Sequence, residues 1–235
     1  MGYAELADAL EKRLELHIPP IALAFVQGEP PGIARTEAVV PSSCAFWRKA
    51  ESEVFYAPAE AHYRCPLGAM VMGFPLPDAQ MQQLESDVKT MCQLAYVREE
   101  EVARVPKMTR ASGGIVYGPL RRFPIAADAV LLWGTPAQAM VIGECSGLIN
   151  WAGEPGGILG RPGCGSIPAA LAAGRAAQSF GCTGMRINTA IPAELFLTVI
   201  PAPQLDAVAR ELERICGVHE QLAARYHERA ARVAG

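Results

Sequence analysis

The sequence predicts an α/β or α+β fold, with a mixed sheet flanked by helices, and three observations support this class. Short apolar runs typical of buried strands alternate with segments whose apolar residues recur every three or four positions. Of the 235 residues, 51% are hydrophobic and 19% are charged, which is typical of a globular domain. No low-complexity linker divides the chain, so we predict a single domain over residues 1–235.

The first half of the chain alternates helix and strand signals. Apolar residues on one face predict helices, and short apolar runs beside proline or glycine predict strands. The predicted elements are a helix over 3–16, a strand over 19–26, a short helix over 42–51, a strand over 53–58 and a helix over 78–97. We expect the last helix to bury one face, formed by Met81, Leu84, Val88, Met91, Cys92 and Ala95. The stretch that begins at Cys65 predicts a loop leading into a short apolar helix.

The second half continues the same alternation. Thr135, Pro136 and Gln138 form a capping box with proline at the first helical position, which predicts a helix start. A glycine-rich loop follows, and a short helix is expected after Ser166. The remaining predicted elements are strands over 113–120, 128–134 and 194–201, and two terminal helices near 203–216 and 218–233.

Charge and hydropathy limit the classes of partner. The net charge is −3 and no block of basic residues occurs, so the electrostatic footprint of a nucleic-acid-binding protein is missing. No apolar run approaches the roughly 18 residues that span a bilayer, and the charged N-terminal segment lacks the apolar core of a secretory signal. We therefore expect a cytoplasmic protein with neither nucleic acid nor membrane as a partner, while its oligomeric state stays open.

The seven cysteines divide into two groups by their local setting. In a reducing compartment, cysteines are expected as buried thiols, metal ligands or nucleophiles rather than disulfides. Three lie in helical patterns among apolar neighbours and are interpreted as small buried hydrophobes: Cys92, Cys145 and Cys216. Four lie in turns or at helix starts, where a sulfur can be presented: Cys44, Cys65, Cys164 and Cys182.

Four thiolates form the ligand set of an iron–sulfur cluster or of a structural zinc ion. A helix start lowers the pKa of a thiol and so favours the ligating form. The glycines beside these cysteines allow backbone N–H groups to approach cluster sulfurs, and Arg186 is a candidate to offset cluster charge; the candidate cofactor contacts are Gly163, Gly165, Gly181, Gly184 and Arg186. No C-x₂-C spacing occurs, so the four cysteines can meet only through the fold.

Other motifs give weaker signals. The loop over 160–166 spaces its glycines like a phosphate-binding loop, but Ser166 stands where that motif needs lysine. Anion binding by amides at this helix start stays open. His62, three residues before Cys65, is a candidate fifth or replacement ligand, although a lone loop histidine is expected to be solvated. Neither a G-x-S-x-G nor an H-E-x-x-H pattern of a hydrolase occurs.

Four segments together resemble a known family over nearly the whole chain. They read HIPPIALAFV, HYRCPLGAMVMG, WGTPAQAM and FGCTGMRINTAIPAELFLTVIP, the last followed by an amphipathic helix. The chain resembles the uncharacterised family called domain of unknown function 169. The resemblance implies that Cys44, Cys65, Cys164 and Cys182 belong to one recurring set, and it supplies no activity.

Three functional hypotheses follow from these residues. The favoured one is a redox or electron-handling protein that binds an iron–sulfur cluster, expected as 4Fe-4S, through the four cysteines, with a small-molecule substrate or a redox partner. The second is a metal-free thiol enzyme in which Cys164 or Cys182 is the nucleophile and Arg186 binds an anionic substrate. The third is a zinc-binding ligand module. The sequence leaves open whether the protein is an enzyme.

Overall fold

The computed structural model describes residues 1–149, 158–159 and 161–234, and its seven strands form one mixed sheet. The strands are β1 (Ile21–Val26), β2 (Phe55–Pro58), β3 (Gly114–Pro119), β4 (Ala129–Gly134), β5 (Ile158–Leu159), β6 (Ala177–Ser179) and β7 (Phe196–Pro201). Their order across the sheet is β2-β3-β1-β4-β7-β6-β5. Neighbouring strands are antiparallel except β5 and β6, which are parallel. The predicted fold class is therefore confirmed.

Helices cover both faces of this sheet. They are α1 (Tyr3–Leu14), α2 (Ala45–Lys49), α3 (Pro66–Val71), α4 (Asp78–Gln93), α5 (Glu99–Ala103), α6 (Pro136–Cys145), α7 (Ser166–Ala173), α8 (Thr183–Thr189) and α9 (Leu205–Ala234). The predicted capping box at the start of α6 is confirmed. The Thr135 amide donates to the side chain of Gln138 at 2.7 Å, and the Gln138 amide donates to the Thr135 hydroxyl at 3.3 Å.

Period-two alternation along the strands gives the sheet two apolar faces. On β1, Leu23 belongs to one core and Ala22 to the other, and on β4 Leu131 and Val130 divide in the same way. We call the first side the cysteine face; its core contains Tyr117 and residues of α2, α3 and α7. The second side, the opposite face, is packed against α1, α6 and α9.

The observed helices differ from the prediction at α9, α8 and α4. The prediction of two terminal helices is wrong, because α9 runs without interruption through Gly217. A single glycine costs a helix only about 1 kcal/mol, which packing of the first half of α9 against the sheet can offset. The helix α8 had no clear signal in its short, glycine-containing sequence. The apolar side of α4 is less buried than predicted: Leu84 is the buried residue among those described in this helix, because this side fronts a cavity rather than a core.

Among the described helices, none combines the length and the apolar character that crossing a membrane requires.

Candidate functional site

All four cysteines that the sequence singled out lie on the wall of a single cavity. Cys44, Cys65, Cys164 and Cys182 line it together, although they come from four separate segments of the chain. The cavity has a volume of about 530 Å³ and lies between the cysteine face of the sheet and helices α4 and α5. The fold therefore brings together the thiols that the sequence leaves scattered.

Each cysteine stands where the chain enters a helical turn. Cys44 directly precedes α2, Cys65 precedes α3 with proline at its first position, and Cys182 precedes α8. Cys164 is the middle residue of the 3₁₀ turn Gly163–Gly165 that leads into α7. Because the chain changes direction at these points, the sulfurs can converge while the helices diverge along the sheet.

Two glycines allow the loops of Cys164 and Cys182 to touch backbone to backbone. A Cβ atom added to Gly163 would lie 2.9 Å from the Cα atom of Gly181, closer than real Cβ contacts come. Gly181 itself has a φ of +78°, which a side chain disfavours, and its Cβ would lie 1.9 Å from the Cε atom of Met185. Both glycines thus serve the approach of two cysteines to one another.

The other predicted cofactor contacts have different settings. A Cβ on Gly165 would make only ordinary contacts, at 3.7 Å and beyond, with proline side chains. Gly184 borders the cavity and has open space where its Cβ would lie. Arg186 is occupied by the fold, since its guanidinium donates hydrogen bonds to the carbonyl groups of Phe180, Pro192 and Leu195. In the structure, Arg186 stabilises the turn that contains Cys182.

The four thiols form two pairs by exposure. Cys44 and Cys164 are buried against the sheet, at 7% and 8% exposure, whereas Cys65 and Cys182 are half-buried on the cavity side. Burial raises the pKa of Cys44 to about 12, and it raises the pKa of Cys164 well above its usual range. The neighbouring cysteines of the set raise both values further. Burial therefore outweighs the pKa-lowering helix starts that the sequence suggested.

Direct hydrogen bonds already reach two of the sulfurs. The hydroxyl of Ser42 lies 3.1 Å from the Cys44 sulfur, and either group can donate. The backbone amide of Met185 donates to the Cys182 sulfur at 3.5 Å. Polar groups thus contact two of the four sulfurs directly.

Several buried polar groups beside the cysteines have no partner in the described part of the protein. The hydroxyls of Ser43 and Tyr117 and both imidazole nitrogens of His62 are buried without a hydrogen bond of good geometry. The indole nitrogens of Trp47 and Trp133, in the same core, are also unpartnered. Such groups are uncommon in proteins, and each calls for an explanation such as an ordered water, an ion or a functional role. Sequence analysis singled out His62 but none of the other groups, because the chemistry of a hydroxyl or an indole N–H becomes informative only once it is buried.

His62 is not solvated as the sequence suggested. It is 1% exposed and lies among aromatic rings, with centroids 5.1 Å from Phe46 and 4.9 Å from Phe74. Burial lowers the pKa of His62 to about 3, although the nearby backbone of Ala57 raises it slightly. The imidazole is therefore neutral in the folded protein at ordinary pH.

Two arginines stand on the cavity wall near the cysteines. Arg64 adjoins Cys65 and is exposed, and no ion pair of Arg64 occurs among the described residues. Arg161 lies over the ring of Tyr96, 4.1 Å from its centroid, and 4.0 Å from a carboxylate oxygen of Glu101. The rest of the wall is mostly apolar and includes Leu84, Val88 and Met91 of α4.

Within the part of the chain that the structure describes, no three His, Cys, Asp or Glu side chains are grouped closely enough to hold a metal ion directly. A single zinc ion requires each sulfur about 2.3 Å from it, and so requires four sulfurs in mutual contact. The four cysteines are among the residues that line one cavity.

The three remaining cysteines lie elsewhere. Cys145 is buried in the core of the opposite face, as predicted for a small hydrophobic residue. Cys216 packs at the edge of that core, and Cys92 lies on α4; both are half-buried rather than fully buried. None of the three lines the cavity of the other four.

Comparison with known proteins gives one match. A family model for DUF169, described as "Uncharacterised ArCR, COG2043", covers residues 9–211. No curated protein and no solved structure matches the chain.

Proposed function

Since the chain belongs to the uncharacterised DUF169 family, whose description carries no activity, we propose its function from the cysteine site: it binds an iron–sulfur cluster, of the 4Fe-4S type, and handles electrons. The observation that carries the proposal is the convergence of four cysteines, from positions 44 to 182, on the wall of a single cavity.

The donor set suits such a cluster. Iron–sulfur clusters are held by cysteine thiolates, four for each cubane, and the cavity offers four thiols. A cluster of several iron and sulfide ions occupies the space between its ligands, unlike a single ion in contact with all four sulfurs. The buried hydroxyls and indole N–H groups of the cysteine face that lack partners among the described residues are donors suited to anionic sulfur.

The protein groups have distinct tasks in this proposal. Cys44 and Cys164 hold the cluster from the sheet side, and Cys65 and Cys182 hold it from the cavity side. Metal binding replaces the thiol protons, which offsets the burial that otherwise keeps the buried pair protonated. The cluster, once bound, supplies reversible uptake and release of single electrons.

The cavity side is where a small-molecule substrate or a redox partner reaches the centre. A volume of about 530 Å³ lies within the range of small-molecule pockets. Arg64 and Arg161 place positive charge at this side, which offsets the negative charge of a cluster held by thiolates. An enzymatic role would use this opening, whereas pure electron transfer needs only that the cluster lie near the surface.

Anaerobic reconstitution with iron and sulfide tests the proposal. We expect brown protein with iron and acid-labile sulfide, and loss of most of both in single serine variants of Cys44, Cys65, Cys164 and Cys182. The matched controls Cys92→Ser, Cys145→Ser and Cys216→Ser should retain wild-type iron. Colourless, iron-free wild-type protein would overturn the proposal, and one equivalent of zinc in place of iron would select a structural zinc site.

A second candidate, a metal-free thiol enzyme, is favoured by one observation at Cys182. Its sulfur is half-buried on the cavity wall and accepts the Met185 amide at 3.5 Å, as a nucleophile at a helix start would. Cys164 is less suited, because burial raises the pKa of its thiol and so keeps it protonated. This candidate predicts that metal-free protein contains one cysteine, Cys182, that reacts with limiting iodoacetamide well ahead of Cys65. Equal reaction of the two would exclude it.

A further inference from the structure

Three side-chain hydroxyls lie in the region of the four sulfurs, and one of them contacts its sulfur directly. The first is Ser42, whose buried hydroxyl lies 3.1 Å from the Cys44 sulfur. When Cys44 is a thiolate it carries no proton, so the hydroxyl can only donate. The Met185 amide, which donates to the Cys182 sulfur, is the backbone counterpart of this contact.

Ser43 and Cys65 both lie beside Gly68. A Cβ atom built on Gly68 would lie 2.8 Å from the Ser43 hydroxyl oxygen and 3.0 Å from the Cys65 sulfur, so the two atoms flank the same point. The Ser43 side chain is 3% exposed, and its hydroxyl has no partner among the described residues. A buried hydroxyl without a partner costs about 1–3 kcal/mol, which a thiolate acceptor would remove.

Tyr117 carries the third hydroxyl. It belongs to β3, is fully buried in the cysteine-face core with Cys44 and Cys164, and has no hydrogen-bond partner in the described part of the chain. Stacking on Phe46, 5.9 Å between ring centroids, fixes its ring. The Cys164 and Cys44 thiols lie near enough to raise the pKa of Tyr117, beyond the larger effect of burial.

We propose that the hydroxyls of Ser42, Ser43 and Tyr117 donate hydrogen bonds to the thiolate ligands Cys44, Cys65 and Cys164, and that they thereby raise the reduction potential of the cluster. Hydrogen bonds to the sulfurs of a cluster stabilise its reduced, more negative state. The inference rests on the proposed function, since it needs a bound cluster. It assigns the three residues as positioning and tuning residues and not as ligands.

The test measures iron content and midpoint potential together, by redox titration of reconstituted protein under an inert atmosphere. We expect Ser42→Ala, Ser43→Ala and Tyr117→Phe to retain wild-type iron and to shift the midpoint potential to more negative values. Ser42→Thr and Ser43→Thr keep the hydroxyl and should restore it towards the wild-type value. The controls are Tyr56→Phe and Ser146→Ala, whose hydroxyls donate to the carbonyls of Gly113 and Gly143 away from the site. Both should leave the potential unchanged.

The outcomes separate the two proposals. Iron-free wild-type protein would overturn the proposed function and this inference with it. Wild-type iron in the three variants with an unchanged potential would overturn only the inference. A Tyr117→Phe protein that melts like wild type but holds no iron would also overturn the tuning role, because the hydroxyl would then be needed for assembly.

Discussion

The two faces of the sheet use the same residue types in opposite ways. On the opposite face, Cys145 is a packing residue and the part-buried hydroxyl of Tyr56 donates to the Gly113 carbonyl at 3.1 Å. On the cysteine face, Cys164 borders a cavity and the buried hydroxyl of Tyr117 has no partner among the described residues. Both tyrosines lie on neighbouring strands of one sheet, so their difference reflects what each face is built to contact.

Buried polar groups without a partner therefore distinguish the two faces more directly than the number of cysteines does. Where packing alone determines the structure, folded proteins contain few buried polar groups without a partner, because each one costs about 1–3 kcal/mol. The opposite face follows that rule at Tyr56, whereas on the cysteine face two indole nitrogens, two hydroxyls and an imidazole lack partners among the described residues. The proposed anionic cluster would accept hydrogen bonds from the hydroxyls and indole N–H groups among them.

The largest expected contrast between the two sets of cysteines is in chemical reactivity. Cys65 and Cys182 are half-buried, and so are Cys92 and Cys216. Cluster loading should slow alkylation of Cys65 and Cys182 by more than about tenfold, because ligated thiolates are shielded, and leave Cys92 and Cys216 unchanged. Mass spectrometry after timed iodoacetamide treatment measures each rate. Equal protection of all four would contradict a cluster held by one set.

The next contrast concerns the glycines on either side of Cys164. Gly163→Ala places a methyl group against the Gly181 backbone and should lower the free energy of unfolding by about 1–3 kcal/mol, with loss of retained iron. Gly165→Ala meets only ordinary contacts and should change stability by less than about 0.5 kcal/mol. Urea unfolding of metal-free protein measures both. Similar effects of the two substitutions would refute the close approach of the loops.

A pH-dependent contrast involves His62 and an exposed histidine, His17. The folded protein holds His62 neutral down to its pKa of about 3, whereas the unfolded chain binds the proton below about 6.5. Stability should thus be fully present above pH 6.5 and fall by up to about 1.4 kcal/mol per pH unit below it. His62→Phe should flatten this slope, because it removes the imidazole that binds the proton. The neighbours that face the ring are Phe46, Phe74 and Tyr117.

Denaturant unfolding at pH 7, 6 and 5 measures the slope in both variants. His17→Gln, which removes an exposed side chain, serves as the control and should keep the wild-type slope. A wild-type slope in His62→Phe would mean that other groups cause the acid sensitivity.

The smallest expected effect lies on the opposite face, at Gly217 within α9. Nothing lies within 4 Å of the position of its Cβ, so Gly217→Ala should raise the free energy of unfolding by about 0.5–1 kcal/mol through helix propensity alone. Iron content should not change. Destabilisation would show that the helix is strained at this point, and that its continuity depends on the glycine.

Periodicity predicted most elements well because the sheet is buried on both sides and proline marks the start of helices α3 and α6. The strand β4 and the start of α6 at Thr135 lie where their sequence signals place them. Failures occur where local signals are weak or tertiary contacts decide. Gly217 suggested a break that helix packing overrides, and α8 is too short to show a period. The stripe on α4 marks an apolar wall of a cavity, which periodicity cannot distinguish from a core.

The site was predictable in its cysteines and unpredictable in their surroundings. Glycine, proline and helix-start settings separated the four cavity cysteines from Cys145 in sequence alone. The donors Ser43 and Tyr117 carried no signal, because a hydroxyl becomes informative only when burial leaves it without water. His62 was expected in solvent for the same reason: three aromatic rings from distant segments enclose it.

The wide separation of the four cysteines along the chain has a consequence for biogenesis. A chain with clustered ligands can capture metal while it is still largely unstructured, but here Cys44 and Cys182 share a wall only after the intervening strands have paired. Assembly of the proposed cluster would then follow folding and would take place through the side on which Cys65 and Cys182 are half-buried. Substitutions far from the sulfurs, in any strand that aligns them, would first prevent assembly of the proposed cluster rather than unfold the protein.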